Sequence, residues 1–402
     1  MEETRFYNEA GSPSNQHSVV HWLLHETQNE RFLDDILVQL CQRLNAAGVP
    51  VARSTMHFRT LHPQWLGARI LWRKGMVHAR FNSIAHGVEA TRQFQLSPLN
   101  TLYEGASEIR KVLANLDASN TSDVFFSELR RDGLTDYIAW PLSFTLGTRH
   151  IVTFATASRS GFEDRHIKTL SELVPILTLV SEIRLKNVLA RTLLETYVGT
   201  HASEQILAGA TTRGSGSTVR AAIMICDLRE FTAISDSLPR DDVIEVLNGF
   251  FDAIGGPVER NDGEILKFMG DGLLAIFPLE NARASDALLE TIKEGRREMA
   301  RFNEENMSKG RPTLRYGTGI HVGDVMYGNI GSRKRLDFTA IGPAVNIAAR
   351  LENLTKRVGR SVLVSRDFVA LAGNQAELEC IGSFDLRGLE DTIDVYALPD
   401  PE

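Results

Sequence analysis

Two aspartates, Asp227 and Asp271, stand where apolar stretches of the sequence end. Asp227 follows the apolar run 221–226, which is typical of a buried strand, and Asp271 lies in a Gly-Asp-Gly turn between the runs 264–269 and 273–277. A carboxylate in such a place is costly unless it is paired or bound to a cation. Oxygen ligands without histidine favour Mg²⁺. Asp-Gly is also a common hairpin turn, so Asp271 alone is explained equally well as a turn residue.

A second pair of polar residues, Asn346 and Arg350, follows Pro343. Their spacing of four places both side chains on one face of a helix, so that they can contact a common target. A guanidinium stays charged and donates several hydrogen bonds, which suits a group that gains negative charge during a reaction. From the spacing alone, a solvated helix face is the alternative interpretation.

The elements that must position these residues follow the order strand, helix, hairpin, helix, strand. Between the two aspartates, apolar residues from Val243 to Ile254 recur at helical spacing after Pro239 and predict an amphipathic helix. The apolar runs on either side of Asp271 predict a β-hairpin with this residue at its tip. Both aspartates are therefore expected at the ends of strands.

The first half of the chain has a different pattern. Residues 18–160 combine one helical pattern with several β-rich runs, which predicts an α+β domain. Residues 166–197 predict a long helix interrupted by Pro175, and the small polar residues at 211–217 predict a flexible linker. We expect a first domain, a connecting helix with its linker, and a second domain, over residues 1–165, 166–214 and 215–402.

Length and charge limit the class of protein. A chain of 402 residues is too long for one ordinary core, and its net charge of −7 argues against a surface for duplex nucleic acid. No stretch reaches the roughly 18 apolar residues of a membrane span, and the acidic start differs from a signal peptide. The three cysteines lie far apart, so neither a disulfide framework nor a zinc site is expected. These features predict a cytoplasmic protein with no nucleic-acid partner and no membrane span.

Four segments of the second half, in this order and at this spacing, resemble the catalytic domain of class III adenylate cyclases. They are CDLREFT at 226–232, FMGDG at 268–272, GDVMYGNIG at 323–331 and DFTAIGPAVNIAARLE at 337–352. The resemblance implies a ferredoxin-like βαββαβ fold that converts ATP into 3′,5′-cyclic AMP and pyrophosphate. The outline of the first half resembles GAF sensor domains, which implies a GAF-like regulatory domain with a small-molecule ligand.

The resemblance assigns metal and phosphate contacts. Asp227, Asp271 and the backbone of Leu228 would hold two Mg²⁺ or Mn²⁺ ions in each site. The amides from Leu228 to Phe231, in the turn after the strand, would cradle the triphosphate. Arg335 and Arg387 stand where the family has phosphate-contacting cations, with a lysine in place of Arg387, although either residue is also explained as a surface charge.

The same resemblance assigns Asn346 and Arg350 to the ribose and the reacting phosphate, and Lys267 and Thr339 to the purine. A lysine ammonium donates to N1 of adenine but meets a donor on guanine, so the pair favours ATP. Guanylate cyclases carry a glutamate and a small residue such as cysteine at these places. Threonine instead of aspartate places the chain in the Lys/Thr subclass.

Family sites lie at a head-to-tail dimer interface, with the metal ligands from one protomer and the purine and transition-state residues from the other. One chain here carries both sets, which implies a homodimer with two equivalent sites. The alternatives are a guanylate cyclase and a catalytically inactive domain that binds nucleotide as a regulatory module.

Overall fold

The computed structural model describes residues 15–59, 65–113, 124–373, 375–386 and 392–400. The chain divides into two compact units, Met1–Leu193 and Leu194–Glu402. The helices of the first unit, of which the last extends into the second, are α1 (Asn15–His25), α2 (Leu33–Ala46), α3 (Arg92–Gln95), α4 (Pro98–Glu104), α5 (Val124–Arg131) and α6 (Asp164–Val198). Its strands are β1 (Arg53–Arg59), β2 (Gly67–Arg73), β3 (Arg80–Ile84), β4 (Ile109–Val112), β5 (Asp136–Ser143) and β6 (Arg149–Thr156).

The helices of the second unit are α7 (Thr200–Leu207), α8 (Phe231–Ser237), α9 (Arg240–Arg260), α10 (Ala284–Ser308), α11 (Pro343–Val358) and α12 (Arg366–Val369). Its strands are β7 (Gly216–Leu228), β8 (Glu264–Met269), β9 (Gly272–Pro278), β10 (Tyr316–Gly331), β11 (Leu336–Ile341), β12 (Val362–Ser365), β13 (Glu379–Phe384) and β14 (Ile393–Ala397).

The first unit contains a six-stranded antiparallel sheet in the order β3-β2-β1-β6-β5-β4. One face of this sheet buries apolar side chains such as Met56 and Trp72 in a core with residues of α2 and α6. The helix α6 continues through Pro175, where we had predicted an interruption. Leu173 and Leu177, on either side of the proline, are buried in that core, and this packing offsets the lost backbone hydrogen bond.

The second unit contains the order β7, α9, β8, β9, α10, β10, which is a βαββαβ arrangement. The four strands are neighbours in an eight-stranded sheet, in the order β10-β7-β9-β8. The strand β7 begins at Gly216, inside the segment predicted as a flexible linker, because it pairs with β10 along its whole length. No helix among the described residues is long and apolar enough to cross a membrane.

Both faces of this sheet are covered, which explains why the run 221–226 is apolar without alternation. Ala222, Met224 and Cys226 face a core shared with α9 and α10. Ile223 and Ile225 face another core, which includes residues of α7 and α11. The two aspartates thus extend from a rigid, fully packed part of the sheet.

The short helix α7 is connected to β8 by a half-buried carboxylate. Glu264 accepts a hydrogen bond of 2.7 Å from the Tyr327 hydroxyl and further ones from the backbone of His201 and Ala202, near the start of α7. Burial raises the pKa of Glu264, and these donors oppose that rise. Since Ala202 is fully buried, residues upstream of β7 form part of the second unit.

Candidate active site

The pairing of β7 with β9 brings Asp227 and Asp271 together. Asp227 lies opposite Gly272, and the Leu228 amide donates to the Asp271 carbonyl at 3.3 Å. A Cβ atom at position 272 would lie 2.7 Å from Oδ1 of Asp227. Glycine is therefore required at this position for the carboxylate to lie against the hairpin.

The two carboxylates repel each other in this position. Burial raises the pKa of Asp227, and the negative charge of Asp271 raises it further. Among the described residues no group of three His, Cys, Asp or Glu side chains is arranged to bind a metal. A site with two carboxylates suits Mg²⁺, which is commonly bound by one or two carboxylates together with substrate phosphates. The residues present therefore fit a divalent cation that is completed by a nucleotide.

The turn after β7 offers fewer backbone amides to a phosphate than the sequence predicts. The amides of Leu228 and Arg229 already donate to the carbonyls of Asp271 and Arg315. Glu230 adopts the left-handed conformation with φ of 60°, and α8 begins at Phe231. In the part of the chain that the structure describes, the amides of Glu230 and Phe231 have no acceptor outside α8, so they are the donors that remain for a phosphate at this turn.

Lys267 forms an ion pair that the sequence did not suggest. Its Nζ lies 2.6 Å from Oδ2 of Asp337 on β11, and both side chains are partly exposed. The hydrogen bond from Lys267 holds the pKa of Asp337 below its usual range. Thr339, two residues further along β11, faces the same side of that strand and is half-buried. Asp337 was part of the family motif but had no predicted role.

Asn346 and Arg350 share one face of α11, where Asn346 is exposed and Arg350 is half-buried. In the described part of the chain, no hydrogen bond or ion pair joins Arg350 to Asp227 or Asp271. In the described part of the single chain, the two aspartates are thus adjacent, whereas Asn346 and Arg350 make no hydrogen bond or ion pair with them.

Of the two arginines predicted to contact phosphate, the structure describes only Arg335. Arg335 is exposed in the turn between β10 and β11, where its amide donates to Oγ of Ser332 at 3.1 Å. Its charge also lowers the pKa of the nearby Asp337. Arg387 lies outside the described residues.

A third carboxylate near the aspartates was not predicted. Glu352 is only 3% exposed, and its Oε1 has no hydrogen-bond partner and lies 4.0 Å from Nζ of Lys356. Burial raises the pKa of Glu352 to about 7, and the charges of Asp227 and Asp271 add to this effect. Glu352 closes the family motif, so its position was visible in the sequence, but its burial was not.

Glu352→Gln is expected to stabilise the protein at pH 8 more than at pH 5 when divalent metals are removed. The raised pKa means that the folded state binds the proton more tightly than the unfolded state. The wild type therefore loses stability as pH rises from the ordinary pKa of 4.5 through about 7. Melting temperatures at both pH values check this, with the exposed Glu304→Gln as control. A difference that is independent of pH would contradict it.

Comparison with known proteins extends these observations. Residues 215–400 match the adenylate and guanylate cyclase catalytic domain family. An adenylate cyclase of Anabaena cylindrica is 32% identical over 186 residues, which are 45% of this chain and 35% of that protein. Adenylate cyclase 1 of Rhizobium meliloti (strain 1021) is 31% identical over 175 residues, which are 43% of this chain and 26% of that protein.

Among solved structures, the adenylyl cyclase CyaB from P. aeruginosa is 24% identical, with a TM-score of 0.42, over 47% of this chain and 97% of that chain. The matched part spans about a third or less of the two curated relatives. At the level of the catalytic domain, the predicted resemblance is confirmed. Residues 215–400 thus form a domain that is similar to adenylate and guanylate cyclase catalytic domains.

Proposed function

We propose that the protein is an adenylate cyclase that converts ATP into 3′,5′-cyclic AMP and pyrophosphate. The observation that carries this proposal is the juxtaposition of Asp227 and Asp271 within a domain of the cyclase family. Cyclisation needs charge neutralised on both sides of the reacting phosphorus, and two adjacent, mutually repelling carboxylates provide a place for cations that do so.

The groups of the site divide the work by their chemistry. Asp227, Asp271 and the carbonyl of Leu228 would hold two Mg²⁺ or Mn²⁺ ions, which neutralise charge on the triphosphate when bound. The amides of Glu230 and Phe231 bind phosphate oxygens. Arg335 and Arg387 add positive charge for the triphosphate.

The residues of α11 act on the reacting end of the nucleotide. The Arg350 guanidinium donates hydrogen bonds to the α-phosphate as its negative charge increases. Asn346 orients the ribose so that its 3′-hydroxyl approaches the phosphorus. Among the described residues neither side chain forms a hydrogen bond or ion pair with the aspartates of its own chain, and the proposal includes a homodimer in which α11 of one protomer completes the metal site of the other.

The choice of ATP rests on Lys267 and Thr339. The Lys267 ammonium, held at 2.6 Å by Asp337, donates to N1 of adenine, which accepts a hydrogen bond, whereas N1 of guanine is itself a donor. The Thr339 hydroxyl accepts from the exocyclic amine of adenine. The ion pair with Asp337 directs the lysine toward the strand that carries Thr339.

The first unit acts as the regulatory part in this proposal. Its antiparallel sheet, flanked by helices and followed by the long helix α6, supports a GAF-like sensor. The helix connects the sensor to the catalytic domain, and its copies in the homodimer would transmit small changes in packing. A cytoplasmic location accompanies this role.

The variant Lys267→Glu with Thr339→Cys is expected to lower ATP turnover and narrow the ATP-to-GTP ratio. Each mismatched buried polar group costs about 1–3 kcal/mol, so the two residues together give roughly 10²-fold or greater preference for ATP. The measurement is kcat/KM for both nucleotides with the full chain. Asp337→Asn, which weakens the ion pair but keeps both purine-binding side chains, serves as a milder comparison.

A wild type that prefers GTP would favour a guanylate cyclase instead. An unchanged nucleotide ratio in the double variant would contradict the assignment of Lys267 and Thr339 to the purine. Binding of nucleotide without any turnover would indicate an inactive regulatory module.

A further inference from the structure

The first unit contains a cavity of about 680 Å³ beside the strands β1, β2 and β3. The helices α3 and α4, the start of α5 and the loops next to these elements contribute the rest of its described lining. Sites for small organic ligands commonly have volumes of about 300–1,000 Å³. The cavity is therefore large enough for a small molecule.

The two faces of the sheet differ in their chemistry at this place. On one face of β1, Met56 and Phe58 are buried in the apolar core. The alternate residues, including Thr55 and His57, lie on the opposite face, where His57 is paired across the strands with Arg69 of β2. Thr55 and His57 hydrogen bond to each other, and Thr55 also to Thr153, so the polar group of this face that needs another explanation is Arg69.

Among the residues that the structure describes, Arg69 has no strong partner. Its Nε is buried without a hydrogen bond, and its Nη2 lies 3.4 Å from Oδ1 of Asn82, which is a long contact. A buried guanidinium donor without an acceptor is costly. An anion that enters the cavity from solvent would supply both an acceptor and a countercharge.

The lining carries more positive than negative charge. Among its described residues are three arginines, at positions 59, 69 and 92, and a single acidic residue, Glu128. His57 adds no charge, since burial and then the charges of Arg69 and Arg53 lower its pKa to about 3. The cavity thus has a net positive charge that suits an anionic ligand.

Two aromatic rings line the same cavity as these arginines. The rings of Phe94 and Tyr103 are stacked with centroids 6.3 Å apart, and both belong to the lining. The guanidinium of Arg59 lies 3.9 Å from the centroid of the Tyr103 ring. Such planar groups favour a ligand with a flat, conjugated body.

We propose that this cavity binds a small planar organic anion, whose acidic group pairs with Arg69 and whose flat body packs beside Phe94 and Tyr103. Binding of a ligand in this cavity does not require that the protein is a cyclase. Only its use as a regulatory input rests on the function proposed above. The class of ligand is an aromatic or conjugated carboxylate or a similar monoanion.

The test is calorimetric titration of the full chain with 2-naphthoate and with its neutral counterpart 2-naphthamide. The two probes share the flat body and differ in charge. The wild type is expected to bind 2-naphthoate more tightly than 2-naphthamide. Arg69→Gln should weaken naphthoate binding about tenfold and change naphthamide binding less than about twofold, because a charge-assisted hydrogen bond is lost.

Two further variants complete the design. Arg92→Gln, at an exposed position of the lining, should also weaken naphthoate selectively and keeps the test decisive if Arg69→Gln does not fold. Arg80→Gln, on β3 but outside the lining, should change neither affinity. The proposal is overturned if the wild type does not bind 2-naphthoate, if both probes respond equally to the lining variants, or if Arg80→Gln has the same effect.

Discussion

Replacing either Asp227 or Asp271 by alanine is expected to lower cyclase turnover by at least roughly 10²-fold while leaving the fold intact, because each change removes a ligand for a charge-neutralising cation. The fold should tolerate the change, since burial and the charge of Asp271 already disfavour an ionised Asp227. The measurements are kcat with saturating Mg²⁺ or Mn²⁺ and the melting temperature without metal.

Asp252→Ala provides the matched control, because Asp252 is an exposed aspartate on α9. It should retain wild-type turnover. Asp227→Asn and Asp271→Asn separate charge from shape and should lose activity nearly as far as the alanine variants. Retained activity in both alanine variants would contradict the assignment of these residues to a metal site.

Mixing two inactive variants, Asp227→Ala and Arg350→Ala, is expected to restore activity. If α11 of one protomer completes the metal site of the other, each mixed dimer contains one intact site and one that carries both defects. Random pairing of equal amounts makes half of the dimers mixed, so about a quarter of wild-type activity should return. The measurement is turnover before and after subunit exchange.

The control pairs Asp227→Ala with Asp271→Ala. Both changes lie in the metal half of the site, so every site in that mixed dimer remains defective and no activity should return. Failure of the first pair to recover, with mixed dimers shown to form, would contradict the shared site. Recovery in the control pair would contradict the division of residues between protomers.

The parts of the fold that the sequence predicted well depend on local patterns. The strand before Asp227 and the hairpin around Asp271 each follow from apolar runs that end at turn residues. Pro239 precedes the expected amphipathic helix, and Pro343 begins the helix that carries Asn346 and Arg350. These signals need no knowledge of distant contacts.

The parts that were missed depend on tertiary structure. Lys267 and Asp337 are 70 residues apart in the chain. Local sequence spacing cannot predict that side chains of two such distant strands form an ion pair. The burial of Glu352 follows from packing against β10, where a Cβ at Gly317 would lie 2.9 Å from its Oε1. The cavity near Arg69 is formed by separate elements of the first unit, and it has no motif of its own.

The family match and the compact unit start at different residues, and Glu264 binds the segment that lies between these two starting points. Similarity to the family begins at residue 215, whereas the compact unit begins at Leu194 and includes α7. A fragment that begins at residue 215 would lack the backbone donors of His201 and Ala202, so Tyr327 would be the remaining described hydrogen-bond partner of the half-buried Glu264. The segment that matches the family and the compact unit therefore begin at different residues, and the short helix α7 belongs to the compact unit.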